Sequence, residues 1–307
     1  MKEYLENVRC VAPLIHNITN YVTANDVANV LLACGASPIM ADEEAEVEEI
    51  TAHCMGLNLN LGTLNQKKIP AMQKAGKMAN KLGHVVVLDP VGVGASSFRK
   101  QTAEQLLKEV RFDAIRGNIS EIKTLASLCG TQEKNSGNMA VSDTMDVEKI
   151  TDKSDHCGKI TGIDGSGRGV DADNADTVTE ENLAQHISNA KMLSKKLQTI
   201  VAITGAIDLV ADGNHCYVIR NGRPEMGRIT GTGCQLSGLL TAYLTANPGN
   251  ELEAAAAAVS SMGLAGEIGW SNMTPTDGNS TYRNRIIDAI YQMDAETLNR
   301  GAKYELR

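Results

Sequence analysis

The sequence predicts an α/β fold with a mostly parallel central sheet, helices on both faces and an antiparallel hairpin at the sheet edge. Three observations carry that expectation. Short aliphatic or β-branched runs alternate with longer helical patterns, the signature of parallel strands joined by covering helices. Two later strand-like runs flank Asp212-Gly213-Asn214, the residue chemistry of a tight hairpin turn. A chain of 307 residues, 42% apolar and 21% charged, can bury the core of one large domain.

Taken in order, strands are expected at Ser37–Met40, Gly56–Leu61, Val85–Asp89, Asp113–Arg116 and Ile200–Thr204. Between them, helical spacing of apolar residues covers about 25–34, 43–53, 65–82, 101–110, 120–129 and 180–197. The hairpin pairs Asp208–Ala211 with His215–Arg220, and three helices near 233–246, 251–269 and 280–297 close the chain. The middle one carries the run Ala254–Ala258 with no strongly charged face, which reads as a helix buried against other helices. The whole chain, 1–307, reads as a single domain interrupted at about 131–178 by a polar insertion. That segment is crowded with Gly, Asp, Ser, Asn and Lys and has no aromatic residue, the composition of an exposed excursion. Within it, Asp171-Ala-Asp-Asn-Ala-Asp176 lacks the glycine and terminal glutamate of a calcium-binding EF-hand loop.

Composition narrows the function classes. Twenty-eight Gly and 12 Met against two Phe and one Trp imply aliphatic packing with many close backbone approaches. A net charge of −8 argues against nucleic acid or an anionic membrane as the main partner, while a local anion site made of main-chain N–H groups remains compatible with it. No apolar run approaches the roughly 20 residues of a membrane span, and the first ten residues lack a signal-peptide core. Seven cysteines with no C-x-x-C pair fit reduced thiols, so a cytoplasmic protein is expected.

Three motifs carry chemistry. In Ile229-Thr-Gly-Thr-Gly-Cys-Gln-Leu-Ser237 the glycines precede a helix, whose free N–H groups and dipole favour an anion such as a transferring phosphate. Cys234 then falls in the first turn, where the dipole is expected to draw a thiol pKa from roughly 8.5 towards neutrality. In Val87-Leu-Asp-Pro-Val-Gly-Val-Gly94, Asp89 ends a parallel strand on the edge where open α/β sheets bind ligands, and can hold Mg²⁺ directly or through water. Neither a dinucleotide fingerprint nor a Walker A loop is present. In Arg116-Gly-Asn-Ile-Ser-Glu121, also at a strand end, Ser120 is the expected helix cap with Glu121 in the first turn. An arginine with oxygen-ligand side chains beside Asp89 suits a polyphosphate–magnesium site. Each motif has a plain structural reading, as a glycine turn, an Asp-Pro turn or a capped helix; together at strand ends they point to phosphoryl transfer.

These motifs and the N-terminal run Pro13-Leu-Ile-His-Asn-Ile-Thr-Asn-Tyr-Val-Thr-Ala-Asn25, followed by Ala28-Asn-Val-Leu-Leu-Ala-Cys-Gly-Ala-Ser-Pro-Ile-Met40, resemble the hydroxyethylthiazole kinases of thiamine salvage. Val201-Ala-Ile-Thr-Gly205 and Gly231-Thr-Gly-Cys234 follow in family order, and the resemblance covers about 1–130 and 178–300. It implies a ribokinase-like three-layer fold and ATP-dependent phosphorylation of 4-methyl-5-(2-hydroxyethyl)thiazole. By the same resemblance, Met40 and Gly231 contact the thiazole, Arg116 and Thr204 bind ATP, Asp89 and Glu121 organise Mg²⁺, and Cys234 faces the substrate hydroxyl as the catalytic base. It further implies a homotrimer in which the N-terminal block of one protomer completes its neighbour's pocket. Two departures stand out: Cys234 where most ribokinase-like sugar kinases carry Asp, and the 131–178 insertion where the family has a short connection. Two other readings stay open at this level, a kinase of the hydroxymethylpyrimidine half of thiamine and a nucleotide sensor that has lost catalysis.

Overall fold

The computed structural model describes residues 1–130 and 177–307. Almost all of the 131–178 insertion, the acidic run at 171–176 included, therefore lies outside the described residues. Its last residue, Val178, is buried in the core, and the Thr177 carbonyl accepts from Asn182 Nδ2 at 3.0 Å.

The chain runs α1 (Lys2–Val11), β1 (Leu14–Ile18), α2 (Ala24–Cys34), β2 (Ser37–Met40), α3 (Val47–His53), β3 (Gly56–Asn60), α4 (Lys68–Leu82), β4 (Val85–Asp89), α5 (Ser97–Glu109), β5 (Ala114–Asn118) and α6 (Ile119–Leu128). After the insertion come α7 (Leu183–Leu197), β6 (Ile200–Thr204), β7 (Asp208–Ala211), β8 (Cys216–Ile219), α8 (Thr232–Ala246), α9 (Glu251–Ser271), α10 (Asn279–Gln292), α11 (Ala295–Gly301) and β9 (Tyr304–Leu306). One sheet holds nine strands in the order β2-β1-β3-β4-β5-β6-β7-β8-β9. The pairs from β2 to β6 are parallel, and those from β6 to β9 antiparallel.

Period-two alternation along the central strands builds the three layers. Val87, Ala202 and Val210 face one core with Leu239 and Tyr243 of α8 and the Ala254–Ala258 run of α9. Val86, Leu88, Val201 and Ile203 face the other with Met72 of α4, Leu106 of α5 and Leu193 of α7. Strands covered on both faces read as unbroken apolar runs, which is why Val85–Asp89 and Ile200–Thr204 are legible from sequence.

The differences from expectation lie at the two ends of the chain. Leu14–Ile18 was not expected as a strand because His16 and Asn17 interrupt its apolar pattern. Both are buried, on the strand next to the sheet edge, and tertiary partners make that tolerable. His16 Nε2 bonds the Ala41 carbonyl at 2.9 Å and Nδ1 pairs with Thr51 Oγ1 at 2.9 Å, while Asn17 Oδ1 accepts from Asn58 Nδ2 at 3.1 Å. The single helix expected at 280–297 is two, because Asp294 caps α11 by accepting from the Thr297 N–H at 2.7 Å. The hairpin is not the outermost element either: β9 pairs antiparallel with β8 and covers its edge. Among the described residues no helix is long and apolar enough to cross a membrane.

Candidate active site

The C-terminal ends of β3 to β6 bring Asn60, Asp89, Arg116 and Thr204 to one edge, with Asn60 opposite Asp89 and Asn118 opposite Thr204 in register. This is the edge where a parallel α/β sheet presents its ligand crevice. The N-terminus of α8 packs against it. Gly231 is the N-cap at φ 90°, a left-handed conformation, and a Cβ there would stand 2.3 Å from Thr23 Cγ2. Gly233 serves differently: a Cβ would lie 2.4 Å from Arg116 Nη2, so the guanidinium rests directly on the glycine backbone. Larger residues at either position would displace the facing side chain.

Asp89 is fully buried and ties the site together. Its Oδ2 accepts from Asn60 Nδ2 at 2.7 Å and from Ser237 Oγ at 2.8 Å, while Oδ1 stands 3.5 Å from Arg116 Nη1. Burial pushes its carboxyl pKa up, against the pull of Arg116, Ser237 and Asn60. Arg116 Nη2 donates to Thr204 Oγ1 at 2.7 Å, and its buried Nε has no hydrogen-bond partner. An arginine with a spare buried donor at a helix N-terminus is suited to phosphate oxygens.

Glu121 lies in the first turn of α6, but the expected cap is corrected. Asn118, not Ser120, is the N-cap: its Oδ1 accepts from the Glu121 N–H at 2.9 Å, and Glu121 Oε2 accepts from the Asn118 N–H at 2.8 Å. Ser120 Oγ donates to Asn118 Oδ1 at 3.0 Å. The second carboxylate oxygen, Oε1, accepts from the Gly92 N–H at 2.8 Å and so links α6 to the loop after Asp89. Burial and the neighbouring Asp89 charge raise the Glu121 pKa, opposed by Arg116 and by the two N–H donors. Among the described residues no cluster of three His, Cys, Asp or Glu side chains could hold a metal by itself. Mg²⁺ carried by a nucleotide takes one or two protein carboxylates, with phosphates and water as its other ligands. Asp89 Oδ1, with only a long contact to Arg116, is the available oxygen, and Glu121 supplies charge beside it.

Cys234 falls in the first turn of α8 as expected, 8% exposed, but its electrostatics differ from expectation. Burial and the Asp89 charge push the thiol pKa up, with Thr23, Arg116 and Asn60 opposing. Desolvation and a nearby carboxylate thus outweigh the helix terminus in the free protein. Two amides converge on the sulfur: Asn20 Nδ2 at 3.2 Å and Asn60 Nδ2 at 3.3 Å.

Asn20, Thr23, Asn60 and Ser237 were not singled out from sequence. A signal existed for Asn60, since Asn58-Leu-Asn60 puts two amides on one face of a buried strand, and for Ser237, three residues after Cys234 on the same helix face. The loop carrying Asn20 and Thr23 is anchored by buried Lys68, whose Nζ donates to the Thr19 carbonyl at 2.7 Å. The same Nζ pairs with Asp42 at 3.2 Å and sits 3.8 Å from the Tyr21 ring centroid. Met40 is the one expected site residue that the single chain leaves apart. It ends the outer strand β2, 39% exposed and opposite Asn17 of β1. Two strand spacings, about 10 Å, separate β2 from the strand carrying Asn60.

Beside Thr204, Asp208 Oδ1 accepts from the Gly205 N–H at 2.8 Å, and burial lifts the carboxyl pKa to about 7. The folded state therefore holds a proton that the unfolded state releases near pH 4, and the associated stability fades as pH rises through about 7. Asp208→Asn, which keeps the acceptor, should match the wild type below pH 4 and exceed it by roughly 4 kcal/mol at pH 8, about three pKa units at about 1.4 kcal/mol each. Urea unfolding at the two pH values checks this; an unchanged difference across the range would mean that Asp208 titrates normally.

One edge of the α/β sheet thus carries an arginine–threonine pair, two buried carboxylates and a glycine-flanked helix N-terminus holding a cysteine. Comparison with known proteins shows the family. The sequence model of the hydroxyethylthiazole kinase family matches residues 5–157 and 140–296, and the chain belongs to that family. It is 52% identical over 305 residues to a hydroxyethylthiazole kinase of Clostridium acetobutylicum, covering 99% of both chains. It superposes on the solved hydroxyethylthiazole kinase of Pyrococcus horikoshii with a TM-score of 0.79 at 29% identity, covering 99% of this chain and 98% of that one. The ADP complex of Staphylococcus aureus pyridoxal kinase, at 15% identity, a TM-score of 0.56 and coverage of 96% and 97%, shares the fold.

Proposed function

We propose that this protein transfers the γ-phosphoryl group of ATP to the hydroxyl of 4-methyl-5-(2-hydroxyethyl)thiazole, giving the thiazole phosphate and ADP for thiamine salvage. The observation that carries this reading is the convergence of Cys234, Asp89 and Arg116 on the N-terminus of α8 in a member of this family. Arg116 and Thr204 take the ATP phosphates, the buried Arg116 Nε supplying a donor that no protein group uses. Asp89 would hold Mg²⁺ through Oδ1, with the Glu121 charge beside it, and the ion would neutralise phosphate charge. Gly231 lines the thiazole pocket, and Cys234 Sγ faces the acceptor hydroxyl.

An alcohol is barely ionised at neutral pH, so the rate depends chiefly on in-line positioning and on charge stabilisation of the transferring group. The free N–H groups at the start of α8 face that charge and are fixed before reaction, so they need no reorganisation. Cys234 takes the hydroxyl proton late, as the new P–O bond forms. It can do so only as the thiolate, its own proton having gone to solvent beforehand; because burial and the Asp89 charge raise the thiol pKa, that form is the minor one in the free protein and the rate should rise with pH.

Asn20 and Thr23 reach Cys234 and Gly231 within one chain, so the loop at 19–23 completes its own protomer's pocket. Met40, exposed on the outer strand, is then the residue offered to a neighbour's pocket in a homotrimer. Coupled ADP release with the thiazole alcohol and with hydroxymethylpyrimidine tests the function. Turnover of the thiazole alone is expected; turnover of the pyrimidine alone, or of neither, would overturn the reading. Light scattering should give three times the 32.7 kDa chain mass, and a fully active monomer would remove Met40 from the shared site.

A further inference from the structure

Lys68 opens α4 in a place that two physical effects disfavour. Its side chain is only 2% exposed, and burial strips the ammonium group of its hydration. It also stands in the first helical turn, where the helix dipole opposes a cation. Three partners offset these costs, two on the loop after β1 and one on the loop after β2. Nζ donates to the Thr19 carbonyl at 2.7 Å, lies 3.8 Å from the Tyr21 ring centroid and pairs with Asp42 Oδ2 at 3.2 Å. The same Asp42 oxygen accepts from Tyr21 Oη at 3.0 Å, which closes a ring of three side chains.

The two gripped loop residues flank Asn20. The register of β1 with β3 ends at Ile18, so the ladder does not extend to the loop. The Thr19 hydroxyl has no hydrogen-bond partner among the described residues, which leaves its carbonyl as the point that Lys68 fastens. Tyr21 and Val22 are exposed, whereas Asn20 between them and β1 is buried and turns into the site. Its Nδ2 reaches Cys234 Sγ at 3.2 Å and Asn60 Oδ1 at 3.1 Å, and its Oδ1 accepts from the Thr23 N–H at 3.0 Å.

The phosphoryl-transfer reading above, on which this inference rests, needs Cys234 Sγ at a fixed place beside the acceptor hydroxyl. We propose that Lys68 is a positioning residue for that reaction: by gripping Thr19 and Tyr21 on either side of Asn20, it holds the Asn20 amide against Cys234. A displacement of about 1 Å near a reacting group can cost roughly 10²-fold in rate, so a clamp one residue from that amide has leverage on kcat. Arg116 and Thr204, which meet the ATP phosphates in the same reading, stand on β5 and β6, across β3 and β4 from β1. The clamp therefore bears on turnover and not on ATP binding.

The test is a double-mutant cycle in the full chain, assayed with ATP and the thiazole alcohol. Lys68→Met keeps an unbranched stem and removes the ammonium. Asp42, 37% exposed, stays solvated, so no buried charge is left behind and the variant should fold. Lys68→Met should lower kcat roughly 10- to 100-fold with KM for ATP unchanged. Asn20→Ala should also lower kcat, and adding Lys68→Met to it should cost nothing further, because the two residues act in series. A general loss of folded protein would instead multiply the two losses. Lys68→Met as fast as the wild type, losses that multiply, or a rise in KM for ATP matching the fall in kcat would overturn the inference. Asp42→Asn, which frees the ammonium from one partner, and Asn20→Ser replace whichever variant does not fold, and the cycle is read in the same way. A wild type that does not turn over the thiazole alcohol would overturn the function reading and this inference with it, whereas wild-type turnover with multiplying losses overturns the inference alone.

Discussion

Replacing Cys234 with Ala should lower kcat about 10²–10⁴-fold, the usual worth of a general base. Thiazole binding should change little, because Gly231 and the loop at 19–23 remain. Turnover should not vanish, since the helix N-terminus, Arg116 and Asp89 still position and stabilise the transferring group. Cys234→Asp should be faster than Cys234→Ala and active to lower pH than the wild type. A carboxylate there can accept the same proton, and the Asn20 and Asn60 amides that now reach the sulfur can donate to it. Burial and the Asp89 charge, which already raise the thiol pKa, would raise that carboxyl too, so its acid limb should lie above the ordinary aspartate range. The measurement is a pH–rate profile of the three proteins at saturating ATP. An Ala variant as fast as the wild type would reduce Cys234 to a small packing residue at a tight helix start.

Asp89→Asn should cost about 10²–10³-fold in kcat and raise the magnesium concentration needed for half-maximal rate. The side chain is fully buried, and its Oδ2 accepts from Asn60 and Ser237. An asparagine can present its oxygen to those same two donors, so the packing of β3, β4 and α8 should survive. What it cannot keep is the charge facing Arg116 and the carboxylate oxygen available to Mg²⁺, because its amide nitrogen would then point at the guanidinium. Steady-state rates across a magnesium titration, with calorimetry of thiazole binding, separate the possibilities. Intact thiazole binding with a shifted metal requirement is expected. Lost thiazole binding with the metal requirement unchanged would move Asp89 into the acceptor pocket.

Central strands, the α8 start and the strand-end motifs were all legible in the sequence, because each is written in local chemistry. Val85–Asp89 and Ile200–Thr204 are apolar runs ended by polar residues, and Gly231-Thr-Gly-Cys234 places glycines where a helix must begin. β1 was not legible, since His16 and Asn17 are unfavourable in a buried strand until Thr51, Ala41 and Asn58, all distant in sequence, satisfy them. The same limit applies to the site. Asp89, Arg116, Glu121 and Cys234 announce themselves by type and position and Thr204 only through the family resemblance, whereas Asn20, Thr23, Asn60 and Ser237 matter only through what folding sets beside them.

The sequence by itself determined the fold class, the family and the edge of the sheet at which the chemistry sits, because periodicity and motif order are properties of the chain. Tertiary structure alone decided the direction of the Cys234 pKa shift, the identity of the α6 cap and the separation of Met40 from the other site residues. Those depend on desolvation, on non-local hydrogen bonds and on strand order, and all three come into being only when distant segments pack together.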